Sequence, residues 1–137
     1  MIEKVLRYQP HVLVVDDDEN IISAFEDFFK RERCTMVAAS SSEAAMKIVE
    51  RGGVDLLITD IRLQFQSGVA LFLQAKSIRD NLPVIVITGY PESITEEEVK
   101  ALGAEFMLVK PLDLTKLRQA VRFCLRSVEN HALDNER

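Results

Sequence analysis

The sequence predicts an α/β fold in which helices cover both faces of a parallel β-sheet. Short apolar runs alternate with amphipathic stretches along the chain, an order typical of repeated βα units. The apolar runs are nearly continuous, as expected for strands buried on both faces. Hydrophobic residues make up 47% of the 137 residues, which is enough for one packed core. We therefore expect a single doubly wound domain with right-handed crossovers.

Five apolar runs rich in β-branched residues predict the strands of this sheet. Each run has a length that is usual for a strand in a globular protein. The predicted strands are His11–Val15, Thr35–Ala39, 55–59, 83–88 and 105–109.

Helical spacing and terminal signals predict the first two helices. Glu19–Arg31 repeats apolar residues at helical intervals. Ser40 and Glu43 have the spacing of a capping box and open a second helix through about residue 50, which Gly52 and Gly53 end. The apolar side of the first helix carries Ile22, Phe25, Phe28 and Phe29.

Three further helices follow. Gly68–Ile78 is predicted to be helical, and Thr95 with Glu98 forms a capping box in a helix that ends near Gly103. Asp113 can cap the last helix. The apolar stripe of that helix consists of Leu114, Leu117, Val121, Leu125 and Val128.

The predicted elements define one domain at 10–128, an N-terminal extension at 1–9 and a polar C-terminal tail at 129–137. We expect the tail to be frayed after about Asn130. The sequence contains no internal repeat and no low-complexity segment.

Composition excludes several classes of protein. The net charge of −5 and the pI of about 5.1 argue against direct binding of nucleic acid by this domain. Cys34 and Cys124 belong to no metal-binding or redox motif. The N-terminus does not resemble a signal peptide, and no stretch has the roughly 18–20 apolar residues that cross a bilayer. We therefore expect a cytoplasmic protein that does not contact membranes.

Polar residues follow four of the predicted strands. Asp16, Asp17 and Asp18 follow the first strand, and Asp60 follows the third. Thr88 ends the fourth strand and Lys110 follows the fifth. Ligands bind beyond the carboxyl ends of the strands in such sheets, so these side chains are expected at one rim.

This set of residues has the components that phosphoryl transfer requires. Crowded carboxylates repel each other unless a cation lies among them, and Mg²⁺ prefers one or two carboxylates with waters and a phosphate. An aspartate can act as the nucleophile, while a lysine and a threonine can contact the phosphoryl oxygens. Each residue alone is more often structural or exposed to solvent. The prediction rests on all four strand ends occurring together, in order.

Four motifs carry a resemblance to a known family. VVDDD at 14–18, LLITD at 56–60, PVIVITG at 83–89 and GAEFMLVKP at 103–111 resemble the receiver domain of bacterial response regulators, the CheY-like family. The resemblance covers about residues 10–127. It implies a flavodoxin-like (βα)₅ fold with strand order 2-1-3-4-5. It also implies a two-component signalling switch that is not an enzyme beyond its own phosphorylation and dephosphorylation.

The resemblance implies a role for each matching residue. Asp60 would be the phosphoacceptor, and Thr88 and Lys110 would contact the phosphoryl oxygens. Asp16, Asp17, Asp60 and the backbone carbonyl of Arg62 would hold Mg²⁺. The Lys110–Pro111 peptide would be cis. Asp18 matches no metal position, and we expect it to cap the first helix. The phosphoryl donor would be a phosphohistidine on a sensor histidine kinase or a phosphotransfer protein.

Three positions depart from the family pattern. Gln64 stands where a proline is common, and Ser67 stands where an aspartate is common, so the loop after Asp60 is expected to be more mobile. Met107 occupies the position of the family's switch aromatic on the fifth strand. Phe106 should point to the opposite face, because side chains alternate along a strand.

Two surface features suggest further hypotheses. Arg62 and Tyr90 lie two residues after Asp60 and Thr88, where their bulk could shield an acyl phosphate from water. The output surface would comprise the fourth and fifth helices with the fifth strand. There, acidic and basic side chains would suit a symmetric homodimer. They are Glu96, Glu97 and Glu98 on the fourth helix and Lys116, Arg118, Arg122 and Arg126 on the fifth.

Three alternatives stay open at the level of sequence. A haloacid-dehalogenase-type phosphatase also uses an aspartate nucleophile with Mg²⁺, but Glu19 and Asn20 replace its usual Gly-Thr. A degenerate receiver would act as a binding module without phosphorylation, which the complete set of site residues disfavours. A nucleotide-binding domain is disfavoured because no glycine-rich loop follows the first strand.

Overall fold

The computed structural model describes residues 9–64 and 66–135, with side chains as far as Arg126. Residues 1–8 of the predicted N-terminal extension lie outside the described residues. The elements in chain order are β1 (His11–Val15), α1 (Glu19–Arg31), β2 (Thr35–Ala39), α2 (Ser42–Arg51), β3 (Leu56–Asp60), β4 (Arg62–Leu63), β5 (Gln66–Ser67), α3 (Gly68–Ile78), β6 (Val84–Thr88), α4 (Glu96–Ala101), β7 (Phe106–Val109) and α5 (Leu114–Asn135).

The five predicted strands form one parallel sheet in the order β2-β1-β3-β6-β7. This order is the predicted 2-1-3-4-5 when the strands of the main sheet are counted along the chain, and it confirms the doubly wound α/β fold. In the register of the sheet, Val15 lies opposite Thr59 and Asp60 lies opposite Ile87. Because the strands are parallel, their carboxyl ends meet at one rim, which is where the predicted site residues lie.

The core consists of two apolar layers, one on each face of the sheet. Strands β3 and β6 are buried along their whole length, which explains their continuous apolar sequences. One layer packs α1 and α5 against the sheet, with Phe25 and Phe29 almost fully buried. The other layer packs α2, α3 and α4, with Phe72 and Val99 fully buried. The sheet is therefore held rigidly from both sides, and its rim is a firm base for a site.

Helix caps follow the sequence signals, with one correction. Asp18 caps α1 by accepting the Asn20 N–H at 2.9 Å, and Thr95 forms the predicted capping box with Glu98. Asp113 accepts N–H groups from the first turn of α5. The cap of α2 is Ser41 and not the predicted Ser40. The β2 strand remains paired as far as Ala39, whose carbonyl accepts the Asp16 N–H, so the chain needs one more residue to leave the sheet.

Several boundaries differ from prediction by one or two residues. The third strand runs one residue later than expected, so Asp60 is its last residue and does not follow it. The fourth and fifth strands begin one residue later, and α4 ends at Ala101, before Gly103. The tail that was expected to fray after Asn130 is helical as far as Asn135.

The loop after Asp60 contains a small hairpin that the sequence did not predict. Strands β4 and β5 pair antiparallel, with Arg62 opposite Ser67 and Leu63 opposite Gln66. The Ser67 hydroxyl then caps α3 by accepting the Ala70 N–H at 3.0 Å. Two-residue strands carry almost no periodicity, so nothing in the sequence distinguishes them from a loop.

Met107 and Phe106 point to opposite faces of β7, as predicted. Met107 packs against the core layer of α2, α3 and α4, whereas Phe106 packs against the layer of α1 and α5. The Phe106 ring meets the Phe123 ring of α5 edge-on at 5.4 Å.

Candidate functional site

The side chain of Lys110 brings two of the predicted carboxylates together at the rim of the sheet. Its ammonium lies 2.7 Å from Asp60 Oδ2 and 3.0 Å from Asp16 Oδ2. Asp60 ends β3 and Asp16 directly follows β1, two neighbouring strands, while Lys110 directly follows β7 at the edge of the sheet. The geometry confirms that these three side chains form one cluster. The Lys110–Pro111 peptide is cis, as expected.

Asp16 is the most buried acid of this cluster. The residue is 1% exposed, and its Oδ1 accepts the Asp18 N–H at 2.9 Å. Its Oδ2 has no well-directed hydrogen bond, so the contact with Lys110 is an ion pair only. Burial raises the pKa of the Asp16 carboxyl above its usual value. Lys110 therefore offsets only part of the cost of burying this carboxylate.

Lys110 remains charged in this environment. Burial alone would lower the pKa of its ammonium, but its contacts with the Asp60 and Asp16 carboxylates outweigh burial and raise that pKa. The lysine is thus a fixed positive charge aimed at the end of β3.

Asp17 and Asp18 have different surroundings from Asp16. Asp17 is exposed beside the cluster, whereas Asp18 is used as the cap of α1. The capping role predicted for Asp18 is confirmed, whereas the metal-binding role predicted for Asp17 stays a prediction.

The carboxylates fit a magnesium ion better than a metal with a full protein cage. Within the described ranges, no three His, Cys, Asp or Glu residues are grouped as a metal-ligand set. Mg²⁺ does not require such a group, since it keeps several waters and uses one or two carboxylates. The buried Asp16 Oδ2, which lacks a directed donor, is the atom that such an ion would satisfy. If the ion is bound, Asp16, Asp17, Asp60 and the Arg62 carbonyl are the groups available to hold it.

Arg62 and Tyr90 flank the site on adjacent loops, and each donates its backbone N–H to a site residue. Thr88 is fully buried, and its hydroxyl oxygen accepts the Tyr90 N–H at 2.9 Å. Asp60 Oδ1 accepts the Arg62 N–H at 3.1 Å. The Arg62 guanidinium stacks on the Tyr90 ring at 3.8 Å from its centroid. A cation–π pair therefore joins the two loops that follow the acceptor strand and the threonine strand.

Sequence reasoning missed two residues that touch the backbone of Asp60. The Thr59 hydroxyl donates a hydrogen bond to the Asp60 carbonyl at 2.9 Å, although it was counted only as part of a strand. Gly68 was taken as the start of a helix, and the structure places it directly against the same carbonyl. A glycine without a positive φ at the start of a helix is a weak signal of such a close approach.

The charged residues of α5 contact two neighbouring parts of the molecule, and the output surface predicted for α4, β7 and α5 stays a prediction. Arg118 and Arg122 both bind Glu32 at the end of α1, at 3.4 and 3.0 Å. Lys116, Arg122 and Arg126 line a groove with Glu96 of α4 and with Phe106 and Phe123. Arg122 therefore borders this groove as well as binding Glu32.

Comparisons with known proteins agree with this fold. A family profile described as response regulator receiver domain matches residues 12–122. The chain belongs to this family, whose members are signalling switches of two-component systems rather than classical enzymes. Among the described residues, no helix has both the length and the apolar character needed to cross a membrane.

Among curated proteins, the chain is similar to sporulation initiation phosphotransferase F of Bacillus subtilis, with 31% identity over 81% of this chain and 90% of that protein. It is also similar to two Escherichia coli regulators. Transcriptional regulatory protein GlrR is 29% identical over 81% of this chain, and TorCAD operon transcriptional regulatory protein TorR is 29% identical over 92% of it. The chain spans only 25% and 57% of the length of these two regulators.

Solved structures show the same fold. A response regulator receiver domain protein from Clostridium thermocellum superposes with a TM-score of 0.81 at 24% identity, over 88% of this chain and 97% of that one. A CheY-like receiver domain protein from Methanospirillum hungatei superposes with a TM-score of 0.79 at 22% identity, over 90% and 99% of the two chains. These likenesses confirm the predicted fold class.

Proposed function

We propose that this domain accepts a phosphoryl group on Asp60 in a reaction that depends on Mg²⁺. The donor is a phosphohistidine on a sensor histidine kinase or a phosphotransfer protein, which places the domain in the cytoplasm. The observation that carries the proposal is the Lys110 ammonium, which lies within 3.0 Å of carboxylate oxygens from both Asp60 and Asp16. Asp16 is buried and its Oδ2 lacks a directed donor, so this cluster differs from an ordinary surface ion pair and has the character of a functional site.

In the proposed reaction, an Asp60 carboxylate oxygen forms a bond to phosphorus while the phosphorus–nitrogen bond of the donor breaks. Mg²⁺ would neutralise charge on the phosphoryl oxygens, held by Asp16, Asp17, Asp60 and the Arg62 carbonyl. Lys110 would supply a second positive charge to the phosphoryl group from its position beside Asp60. The donor imidazole leaves as the neutral group after it gains a proton.

Thr88 provides the link from the phosphoryl group to the rest of the molecule. A hydroxyl can donate one hydrogen bond while it accepts others, so Thr88 can turn toward a phosphoryl oxygen. That rotation would weaken its bond to the Tyr90 N–H and shift the loop before α4. The surface of α4, β7 and α5 would then change between two arrangements.

The test of this proposal is an intact-mass measurement after incubation with Mg²⁺ and acetyl phosphate. The expected result is one added phosphoryl group that requires Mg²⁺ and is absent from the Asp60→Asn variant. Beryllofluoride, which mimics an acyl phosphate, would detect a state too short-lived for mass measurement. If neither reagent modifies or binds the wild-type protein, the domain is a degenerate receiver that binds partners without phosphorylation. Repeated turnover of a phosphate ester would point instead to the phosphatase alternative.

The Arg62–Tyr90 stack supports a proposal about the lifetime of the phosphorylated state. The two side chains bridge the loops beside Asp60, where they can exclude the water that hydrolyses an acyl phosphate. Replacing both residues with alanine should speed dephosphorylation by roughly 10-fold, which corresponds to a hydrolysis barrier lower by about 1.4 kcal/mol. Loss of the phosphoryl group is followed by intact mass after removal of the donor. The Arg51→Ala variant, changed at the exposed end of α2, serves as the control. An unchanged rate in the double variant would refute the shielding role.

The homodimer remains a proposal about the surface of α4, β7 and α5. Glu96 and Glu97 are exposed on α4, and Lys116 and Arg126 remain on the facing part of α5. In a symmetric dimer, the acids of one copy would meet the bases of the other. Sedimentation in the presence of beryllofluoride tests the dimer. Glu97→Lys should weaken association, and combining it with Lys116→Glu should restore association because the charges are then exchanged. A monomer under all conditions would reject the proposal.

A further inference from the structure

The backbone carbonyl of Asp60 is held from two sides by residues that carry no role in the proposed chemistry. The last register pair between β1 and β3 joins Val15 to Thr59, so Asp60 lies one residue beyond the end of that ladder. The Thr59 hydroxyl, which is fully buried, donates to the Asp60 carbonyl at 2.9 Å. The Thr59 side chain therefore holds the Asp60 carbonyl at a point beyond the last residue pair of β1 and β3.

The first residue of α3 closes the other side of this carbonyl. A Cβ atom added to Gly68 would lie 1.8 Å from the Asp60 carbonyl oxygen and 2.8 Å from its carbonyl carbon. It would also lie 3.0 Å from the Thr59 hydroxyl oxygen. Real atoms do not approach so closely, and the obstacle is backbone, which cannot rotate away as a side chain can. Gly68 is thus required for space.

The position of Gly68 is itself fixed by the loop that leaves Asp60. Its N–H donates to the Ile61 carbonyl at 2.6 Å, and the Ile61 N–H donates to the Ile87 carbonyl of β6 at 2.9 Å. The start of α3 is therefore joined to the acceptor strand and to the neighbouring strand. Any displacement of α3 at Gly68 would be transmitted to the peptide that carries the Asp60 side chain.

We propose that Thr59 and Gly68 are positioning residues for Asp60: together they fix its backbone carbonyl and so aim its carboxylate at Lys110 and at the incoming phosphoryl group. The inference rests on the proposed function of Asp60. Misplacement of a reacting group by about 1 Å can cost roughly 100-fold in rate. Neither residue contacts the reacting atoms, so each acts only through the geometry of Asp60.

The first test uses Thr59, because its variants preserve shape. Thr59→Val removes the hydroxyl with little change in volume, whereas Thr59→Ser keeps the hydroxyl and removes a methyl group. The measurement is the phosphorylation rate at saturating Mg²⁺ and acetyl phosphate, divided by the folded fraction. We expect Thr59→Val to be slower by about 3- to 10-fold, and Thr59→Ser to stay within about twofold of the wild type. Equal rates for the two variants would overturn the role of Thr59.

The second test uses Gly68→Ala with Val69→Ala as its matched control. Val69 lies in the same helical turn and packs on the core, but its truncation does not crowd the Asp60 carbonyl. Gly68→Ala should reduce the phosphorylation rate of folded protein and the affinity for beryllofluoride by about 10-fold or more, while Val69→Ala changes neither beyond about twofold. A wild-type rate in folded Gly68→Ala would overturn the proposal for Gly68. If Gly68→Ala does not fold, the Thr59 pair decides the inference. If the wild-type protein takes no phosphoryl group, the proposed function itself is refuted. If the wild type is phosphorylated and the variants react at its rate, only the positioning role is refuted.

Discussion

The Lys110→Met variant is expected to lose about 100-fold or more of its phosphorylation rate while it binds Mg²⁺ more tightly. Removing one preorganised charge that stabilises a transition state costs typically 10²–10³-fold. Lys110 also occupies the Asp16 and Asp60 oxygens that a metal would use, so its removal leaves these oxygens to the ion. The opposite signs of the two effects make the variant informative.

The same variant should be less stable without metal, by about 3 kcal/mol, because two buried carboxylates lose a positive partner. Crowding and burial would then raise the pKa of Asp16 further. A folded state that binds more protons than the unfolded state loses stability as the pH rises, so the variant's loss of unfolding free energy should grow as the pH rises from the usual titration range of aspartate to the raised pKa of Asp16. Mg²⁺ should restore most of the loss.

These expectations are checked by urea unfolding at several pH values with and without Mg²⁺, by metal titration, and by phosphorylation kinetics. Lys116→Met is the matched control, since Lys116 is exposed on α5 and is not paired with the site. A Lys110→Met variant that is phosphorylated at the wild-type rate would contradict the assigned role. A variant that gains no stability from Mg²⁺ would contradict the proposed metal site.

The Phe72→Ala variant is expected to lose about 3–5 kcal/mol of unfolding free energy, the largest stability effect we predict for one side chain. Phe72 lies on α3 and is fully buried among residues of the sheet, α2 and α3. Truncating a buried phenylalanine removes its transfer free energy and leaves a cavity in a close-packed core. Because α3 also carries Gly68, the folded part of the population should phosphorylate more slowly.

Phe123→Ala provides the matched comparison. The Phe123 side chain is 53% exposed on α5, where it contacts Phe106 edge-on, so its loss should cost less than about 1.5 kcal/mol. Denaturant unfolding monitored by circular dichroism measures both variants. Equal losses of unfolding free energy in the two variants would contradict the burial of Phe72 and the exposure of Phe123.

The sequence could place the candidate site residues at one rim because they lie at strand ends. The carboxyl ends of parallel strands share one edge, so Asp16, Asp60, Thr88 and Lys110 could be placed at one rim from their positions after four apolar runs. Capping residues such as Asp18 and Thr95 were equally readable, because a cap depends on only the next three or four residues. The sequence pointed to Ser40 as the cap of α2, whereas the structure uses Ser41. The cap is shifted because β2 stays paired through Ala39, and the extent of strand pairing depends on tertiary structure.

By itself, the sequence determined the order of the elements, the doubly wound sheet and the chemical character of the rim, since periodicity and strand termini are local properties. Only the tertiary structure decided which groups touch. It placed Gly68 against the Asp60 carbonyl, stacked Arg62 on Tyr90, and paired Arg118 and Arg122 of α5 with Glu32 at the end of α1. Each of these contacts joins elements that are distant along the chain or meet in an irregular loop. The packing of one helix or loop against another fixes them, and no local pattern encodes that packing.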